Sequence, residues 1–343
     1  MAIDLLALQP HKVSRDLSGY ITYIYGAPKC GKTTLAAQME KPLLLAFEPG
    51  YHALPGVMAQ DVTSWAEMKQ VYRQLKAPEV QATFRSIIID TIDIAADRCK
   101  KYICNQNGIE DLGDLGYGKG WTKFKDEFNE VFRGLTQLGY AVFFIGHDKP
   151  EMIDNPDGTK TMKIRPTLSN STKTVIAGMA DIYGYAHQKA AGEMSVLTLR
   201  DGSGTIECGC RFKHMPTEIV MSYKNLVDAL NEAIDKEAQE TSNMFVTTER
   251  IVAPSVVTYD YDALMAEFQD IVGAHAVVFM YYCSYQIRVG IIIAGRPDIF
   301  DGFIEIHHKI PRIFHIMRAP YQSGQNQRFH QDPISAHRYT LPR

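Results

Sequence analysis

Four short runs of consecutive apolar residues mark the first half of the chain: YITYIY (20–25), PLLLAF (42–47), SIIID (86–90) and YAVFFIG (140–146). Runs of this length without alternation predict strands buried on both faces, the environment of a parallel sheet. Between them apolar positions recur at helical spacing and predict helices at 32–40, 64–76, 92–105 and 121–138. Strand and helix alternate, which predicts a doubly wound α/β core. Later strands are expected at 180–186 (ADIYGYA) and 194–200 (MSVLTLR), the second closed by the turn-forming DGSG. The stretch YKNLVDALNEAIDKEA (223–238) repeats apolar residues at i, i+3, i+4 and predicts a helix that closes the core.

After residue 240 the pattern changes. The reading is a core over 1–240, a linker over 241–260 and an irregular C-terminal appendage over 261–343, which still opens on an acidic amphipathic helix at 262–272. Residues 276–343 carry four acids against eight Lys/Arg and five His, whereas residues 1–275 carry 35 acids against 28 bases. The run AVVFMYYCSYQIRVGIIIAG approaches membrane-span length, but Gln286 and Arg288 interrupt it, so no membrane span is expected.

Composition adds little beyond bounds. A chain of 343 residues with 45% apolar content can bury a sizeable core. The formal charge of −3 argues against a generally basic coat and leaves a local basic groove open. The six cysteines are dispersed, and Cys208 and Cys210 form a lone CxC without a second pair at metal-ligand spacing. The opening MAIDLLALQP is too short and too acidic for a signal or transit segment, so a reducing cytoplasm is the expected setting.

The chemistry concentrates in YGAPKCGKTT, where Gly26, Ala27, Pro28, Lys29, Cys30, Gly31, Lys32, Thr33 and Thr34 form a GxxxxGK[ST] loop between a strand and a helix. Such a loop converges backbone N–H groups on a phosphate; Lys32 would reach the β- and γ-phosphates, and the Thr33 hydroxyl would ligate Mg²⁺. The metal also needs a carboxylate at a strand tip. Asp90, at the end of SIIID, is the candidate, and Asp93, at the start of the next helix, is the alternative. Hydrolysis further requires a group that orients or deprotonates water. Glu48 ends PLLLAFE beside a turn-rich segment and can face the γ-phosphate, or it is a plain strand-end acid. His147 ends YAVFFIGH and can donate to the γ-phosphate, or it is a satisfied strand-end side chain.

The stretches YGAPKCGKTT, LLLAFEPGYHAL, IIIDTID, GYGKGW (116–121), GYAVFFIGH and ADIYGYAH, in this order, resemble the RecA-like ATPase core. More closely, they look like phage RecA-like P-loop ATPases of the AAA/RecA-like single-strand annealing and recombination type. The resemblance covers roughly residues 15–235. It implies a mostly parallel sheet with helices on both faces, ATP and Mg²⁺ as cofactors, and an oligomer with sites at subunit interfaces. The implied partners are single-stranded DNA and a phage single-stranded DNA-binding protein, in a host cytoplasm. In RecA a glutamate after the second strand activates water, a role the resemblance carries to Glu48. A polar strand tip couples γ-phosphate to the DNA-binding loop; by position this is His147, where RecA has glutamine. CGCRFKHMP (208–216) looks like the Lys-x-Arg-Phe-Gly segment of related hexameric ATPases, whose cations reach a neighbouring subunit's nucleotide. Gly209 replaces the lysine and Arg211 remains, with an ordinary surface arginine as the alternative.

Two segments are candidates for DNA. The polar stretch after His147 carries Lys149, Lys160, Lys163, Arg165 and Lys173, diluted by Asp148, Glu151, Asp154 and Asp157. In GYGKGWTKFK (116–125), Tyr117 and Trp121 alternate with Lys119, Lys123 and Lys125, as base-stacking platforms beside cations would; alternatively, Trp121 and Phe124 are core anchors. The expected function is therefore an ATPase that binds single-stranded DNA and promotes annealing or strand exchange. Rivals are a P-loop small-molecule kinase, for which no arginine-bearing lid is visible, and a nucleotide-gated helicase loader or regulator.

Overall fold

The computed structural model describes residues 10–154, 158–190, 192–242, 245–250, 276–283, 286–293, 304–307 and 336–340. The helix expected at 262–272, residues 155–157 of NPDGTK and most of the expected linker lie outside the described residues. The chain divides into two units, residues 1–256 and 257–343.

In the first unit, in chain order, come β1 (Val13–Ser14), β2 (Ile21–Gly26), α1 (Lys32–Ala36), β3 (Pro42–Ala46), β4 (Met58–Asp61), α2 (Trp65–Gln74), α3 (Pro78–Thr83) and β5 (Ser86–Asp90). Next are α4 (Ile92–Asn107), α5 (Lys119–Thr136), β6 (Ala141–Asp154), β7 (Lys160–Pro166), α6 (Asn170–Met179), β8 (Ile182–Gln188) and β9 (Ser195–Thr198). The unit ends with β10 (Gly209–Cys210), β11 (Glu218–Val220), α7 (Tyr223–Thr241) and β12 (Val246–Thr247). The main sheet runs β11-β9-β8-β2-β6-β5-β3-β4, with β10 on β8 and β7 on β6. From β8 to β4 the strands are parallel, and β9 and β11 continue antiparallel. β6 thus stands between β2 and β5.

The unbroken apolar runs follow from burial on both faces. Successive side chains of a strand point to opposite sides. Accordingly Ile87, Ile89, Val142 and Phe144 join one core with Trp65, Phe128 and Phe132 of the helices α2 and α5. Ile88, Phe143 and Ile145 join the other core, with Leu35 of α1 and Leu226 and Leu230 of α7.

Three departures from the sequence expectation have local causes. α1 stops at Ala36 rather than 40, its last turn tightened by Gln38 N–H to Leu35 O (3.2 Å) and Met39 N–H to Ala36 O (3.0 Å), since Pro42 already opens β3. β6 continues to Asp154, because the antiparallel partner β7 supplies hydrogen bonds to a polar stretch that has no apolar signal. β4 is an edge strand with three of its four residues exposed, so it leaves no buried run to detect.

The second unit contains β13 (Ala276–Cys283), β14 (Gln286–Ile293), β15 (Ile304–His307) and β16 (Ala336–Thr340), an antiparallel sheet in the order β15-β14-β13-β16. The long apolar run is shared between β13 and β14. Among the described residues, no helix is long and apolar enough to cross a membrane.

Candidate nucleotide site

β2 ends on Gly26, where a Cβ would lie 2.0 Å from the Ala186 carbonyl oxygen of β8. Only glycine permits that approach of the two strands. The following turn places Lys29 (φ 63°) and Gly31 (φ 94°) in the left-handed region, a conformation by which successive backbone N–H groups can converge on an anion. Pro28 and Lys29 are exposed, Ala27 is half-buried and Cys30 is buried. The Lys32 ammonium is buried at the centre of the loop and donates to Gly26 O (2.8 Å) and Ala27 O (2.7 Å). Thr33 Oγ1 donates to Asp90 Oδ2 at 2.7 Å, while Thr34 faces solvent.

Asp90 stands at the tip of β5 and is buried. Burial pushes its carboxyl up to about 6, against the pull of the Thr33 hydrogen bond. A hydroxyl and a carboxylate side by side are the hard oxygen donors that Mg²⁺ prefers, and a cation there would offset the burial of Asp90. The two residues therefore fit the metal.

Glu48 lies two residues beyond β3, in a turn anchored by Phe47 N–H to Asp90 O (2.6 Å) and Gly50 N–H to Glu48 O (2.8 Å). The register of β2 and β6 sets His147 directly beside Gly26. Its Nε2 is 3.5 Å from Glu48 Oε1 and its Nδ1 is 2.7 Å from Asp93 Oδ2. The Asp93 hydrogen bond raises the pKa of His147, against burial and with help from Glu48. Burial pushes Asp93 up, but its contacts with His147 outweigh this and leave it lowered. Asp93, the alternative metal carboxylate in the sequence, thus lies against His147 and the Thr167 hydroxyl (3.1 Å).

The polar stretch beyond His147 is a hairpin of β6 and β7 rooted on the site. Tyr185 donates to Asp148 Oδ2 (3.1 Å) and Tyr25 to Ile164 O (3.2 Å), so the tyrosines of β8 and β2 hold its base. Its basic residues are partly spoken for: Lys160 pairs with Asp154 (3.3 Å), and Arg165 with Glu151 (3.1 Å) and Glu207 (3.4 Å). Lys149 is exposed, and Lys163, opposite Glu151 in the register, is half-buried. In the second basic stretch, Tyr117 is fully exposed, Lys119 opens α5, and Trp121 is 44% exposed with the Lys100 ammonium 5.5 Å from its ring centroid. Phe124 is in the core, so the two aromatics considered together as anchors divide between surface and interior.

Arg211 does not join this site within its own chain. It donates to Gly178 O (2.8 Å) and pairs with Asp181 (3.1 Å), which precedes β8. Because β8 runs parallel to β2, this is the opposite end of the sheet from Gly26, about 16 Å away at the usual rise of a strand.

Sequence reasoning missed two further features. An open cleft of about 360 Å³ flanks the loop, between Ala27, Pro28 and Cys30 on one side and Tyr185, His187 and Gln188 on the other. Tyr185 and His187 stack with centroids 4.8 Å apart; their spacing of two in ADIYGYAH was the available signal for a shared strand face. Asp93 was read as the alternative metal carboxylate or as a first-turn acid, and its role as partner of His147 was missed.

Comparison with known proteins gives a family for the chain. Residues 18–207 match the family described as AAA domain. An SPbeta prophage-derived uncharacterized protein, YorG, from Bacillus subtilis (strain 168) is 29% identical over 284 residues, covering 79% of this chain and 84% of its own. Among solved structures, the flagellar accessory protein FlaH from Methanocaldococcus jannaschii is matched with a TM-score of 0.29 and 10% identity, over 60% of this chain and 85% of that one.

Proposed function

The chain belongs to the AAA domain family, and from that premise we propose that it is an ATPase that binds single-stranded DNA and promotes annealing or strand exchange in phage recombination or replication. The observation that carries this reading is the position of His147. It neighbours the phosphate loop through Gly26, faces Glu48, and is the last residue of β6 before the polar hairpin.

In this reading the loop amides and Lys32 bind the phosphates, and the adjoining cleft receives the nucleoside. Thr33 and Asp90 hold Mg²⁺, which, when bound, neutralises charge on the phosphates. Glu48 orients water and accepts its proton. His147, in its protonated form with Nδ1–H on Asp93, donates from Nε2–H to the γ-phosphate and communicates its presence to the hairpin, whose Lys149, Lys160, Lys163 and Arg165 meet DNA phosphates. Lys119 and Trp121 offer a second surface, by cation and by stacking. A homo-oligomer would bring Arg211 to a neighbour's nucleotide, and a phage single-stranded DNA-binding protein is a further partner.

The test is ATP turnover with and without single-stranded DNA at fixed salt, with Lys32→Ala as the control. Turnover stimulated by DNA is expected, and Glu48→Gln should abolish turnover while nucleotide binding persists. Indifference to DNA together with phosphorylation of a small molecule would establish a kinase instead. A Glu48→Gln variant with unchanged behaviour would reduce the protein to a passive nucleotide-gated module.

A further inference from the structure

One carboxylate, Asp93, touches two residues that lie far from it in the sequence. Its Oδ2 meets His147 Nδ1 at 2.7 Å and the Thr167 hydroxyl at 3.1 Å. Thr167 in turn bonds back to the strand: its N–H donates to His147 O at 3.0 Å and its hydroxyl lies 3.3 Å from the same oxygen. His147 is where the chain leaves the main sheet for the hairpin, and Thr167 is the first residue after β7. Both ends of the hairpin are therefore fastened to one side chain on α4, a helix that begins two residues after Asp90.

We propose that Asp93 is the positioning residue of the site, fixing the His147 ring by accepting from Nδ1–H, so that Nε2, which bears the second proton when the ring is charged, points toward Glu48, and tying the root of the β6–β7 hairpin to that ring. An imidazole has two nitrogens, and the partner of one determines the role of the other. With Nδ1–H donated to Asp93, Nε2 faces the carboxylate of Glu48 at 3.5 Å and the loop beside Gly26. The charged groups around the ring are Asp93 from α4, Glu48 from the turn after β3, Lys32 from α1 and Asp90 at the tip of β5. If the ring shifts to meet a new partner at Nε2, Nδ1 moves with it, and Asp93 transmits the movement to Thr167. Asp93 is suited to this because it is largely buried, with 16% of its side chain exposed, and cannot exchange His147 for water at little cost.

The inference rests on the proposed ATP-dependent reading for its consequence, but its geometry is testable without turnover. Protein labelled with ¹⁵N at histidine gives the tautomer of His147 at alkaline pH, with His147→Gln identifying the signal. Wild type should show the Nδ1–H form, and Asp93→Ala should lose it in favour of Nε2–H. Hydrogen exchange at the Thr167 amide should accelerate roughly tenfold in Asp93→Ala and, independently, in Thr167→Val, the change expected from one lost hydrogen bond. Thr167→Val should leave the tautomer intact and keeps the test available should Asp93→Ala fail to fold. In turnover, Asp93→Ala should lower kcat about ten- to hundredfold with KM little changed. An unaltered tautomer in Asp93→Ala, or unaltered exchange in Thr167→Val, overturns the positioning role. Wild-type turnover in His147→Gln, with the tautomer and exchange results as expected, instead removes His147 from the ATPase reading.

Discussion

Replacing Gly26 by alanine isolates the contact on which the phosphate loop hangs. The new Cβ would lie 2.0 Å from Ala186 O, 2.9 Å from Ala186 C and 3.1 Å from Ala186 N, all backbone atoms that cannot rotate away. Reaching an ordinary contact of 3.4 Å requires β2 and β8 to part by more than an ångström at their C-terminal ends. Overpacking of this kind destabilises by about 1–3 kcal/mol. For a unit of this size that is a fall in Tm of roughly 2–12 °C. The same movement displaces the Gly26 carbonyl that holds Lys32, and a displacement of about 1 Å at a binding site can weaken function by ~10²-fold. Gly108→Ala is the matched control. Gly108 has φ 63°, but its Cβ would meet nothing within 4 Å, so it carries left-handed strain of about 1 kcal/mol and no clash. Thermal unfolding and titration with a fluorescent ATP analogue measure both variants. The expected result is a moderate loss of Tm in each and a large loss of nucleotide affinity in Gly26→Ala alone. Gly26→Ala with affinity within threefold of wild type would refute the argument.

Two further outcomes are expected. The folded pKa of His147 is raised by Asp93, so their pairing contributes stability that is full below the ring's usual value of about 6.5 and disappears as pH rises through the raised value; the stability difference between wild type and His147→Gln in denaturant should shrink as pH rises above about 6.5, and a constant difference would contradict the assignment. Trp121→Ala, at a half-exposed position, should change Tm by only a degree or two, yet weaken binding of labelled single-stranded DNA about fivefold or more if a base stacks there; unchanged anisotropy titrations would remove residues 116–125 from the DNA surface.

Much of the core was legible because its signals are local. SIIID reads as a strand buried on two sides, since three consecutive β-branched residues between polar ends are too short for a helix and favour a strand. The loop from Gly26 to Thr33 was legible because backbone constraints confine a glycine-lysine-threonine turn to few uses. Polar segments left weaker traces. β7 and the outer half of β6 are stabilised by each other and show no apolar run, and α6 has only a modest apolar face.

The sequence by itself determined the buried central strands, where the phosphate loop lies, and that Asp90 ends a buried strand. The resemblance implied that the strand ending on His147 lies between the phosphate-loop and Mg²⁺ strands; only the tertiary structure decided the register that sets His147 beside Gly26 and the contact that sets Asp93 at its Nδ1. Periodicity and propensity act over a few residues, whereas the order of parallel strands is chosen by how helices pack on two faces of a sheet. Partners 54 residues apart, such as Asp93 and His147, acquire their roles at that step.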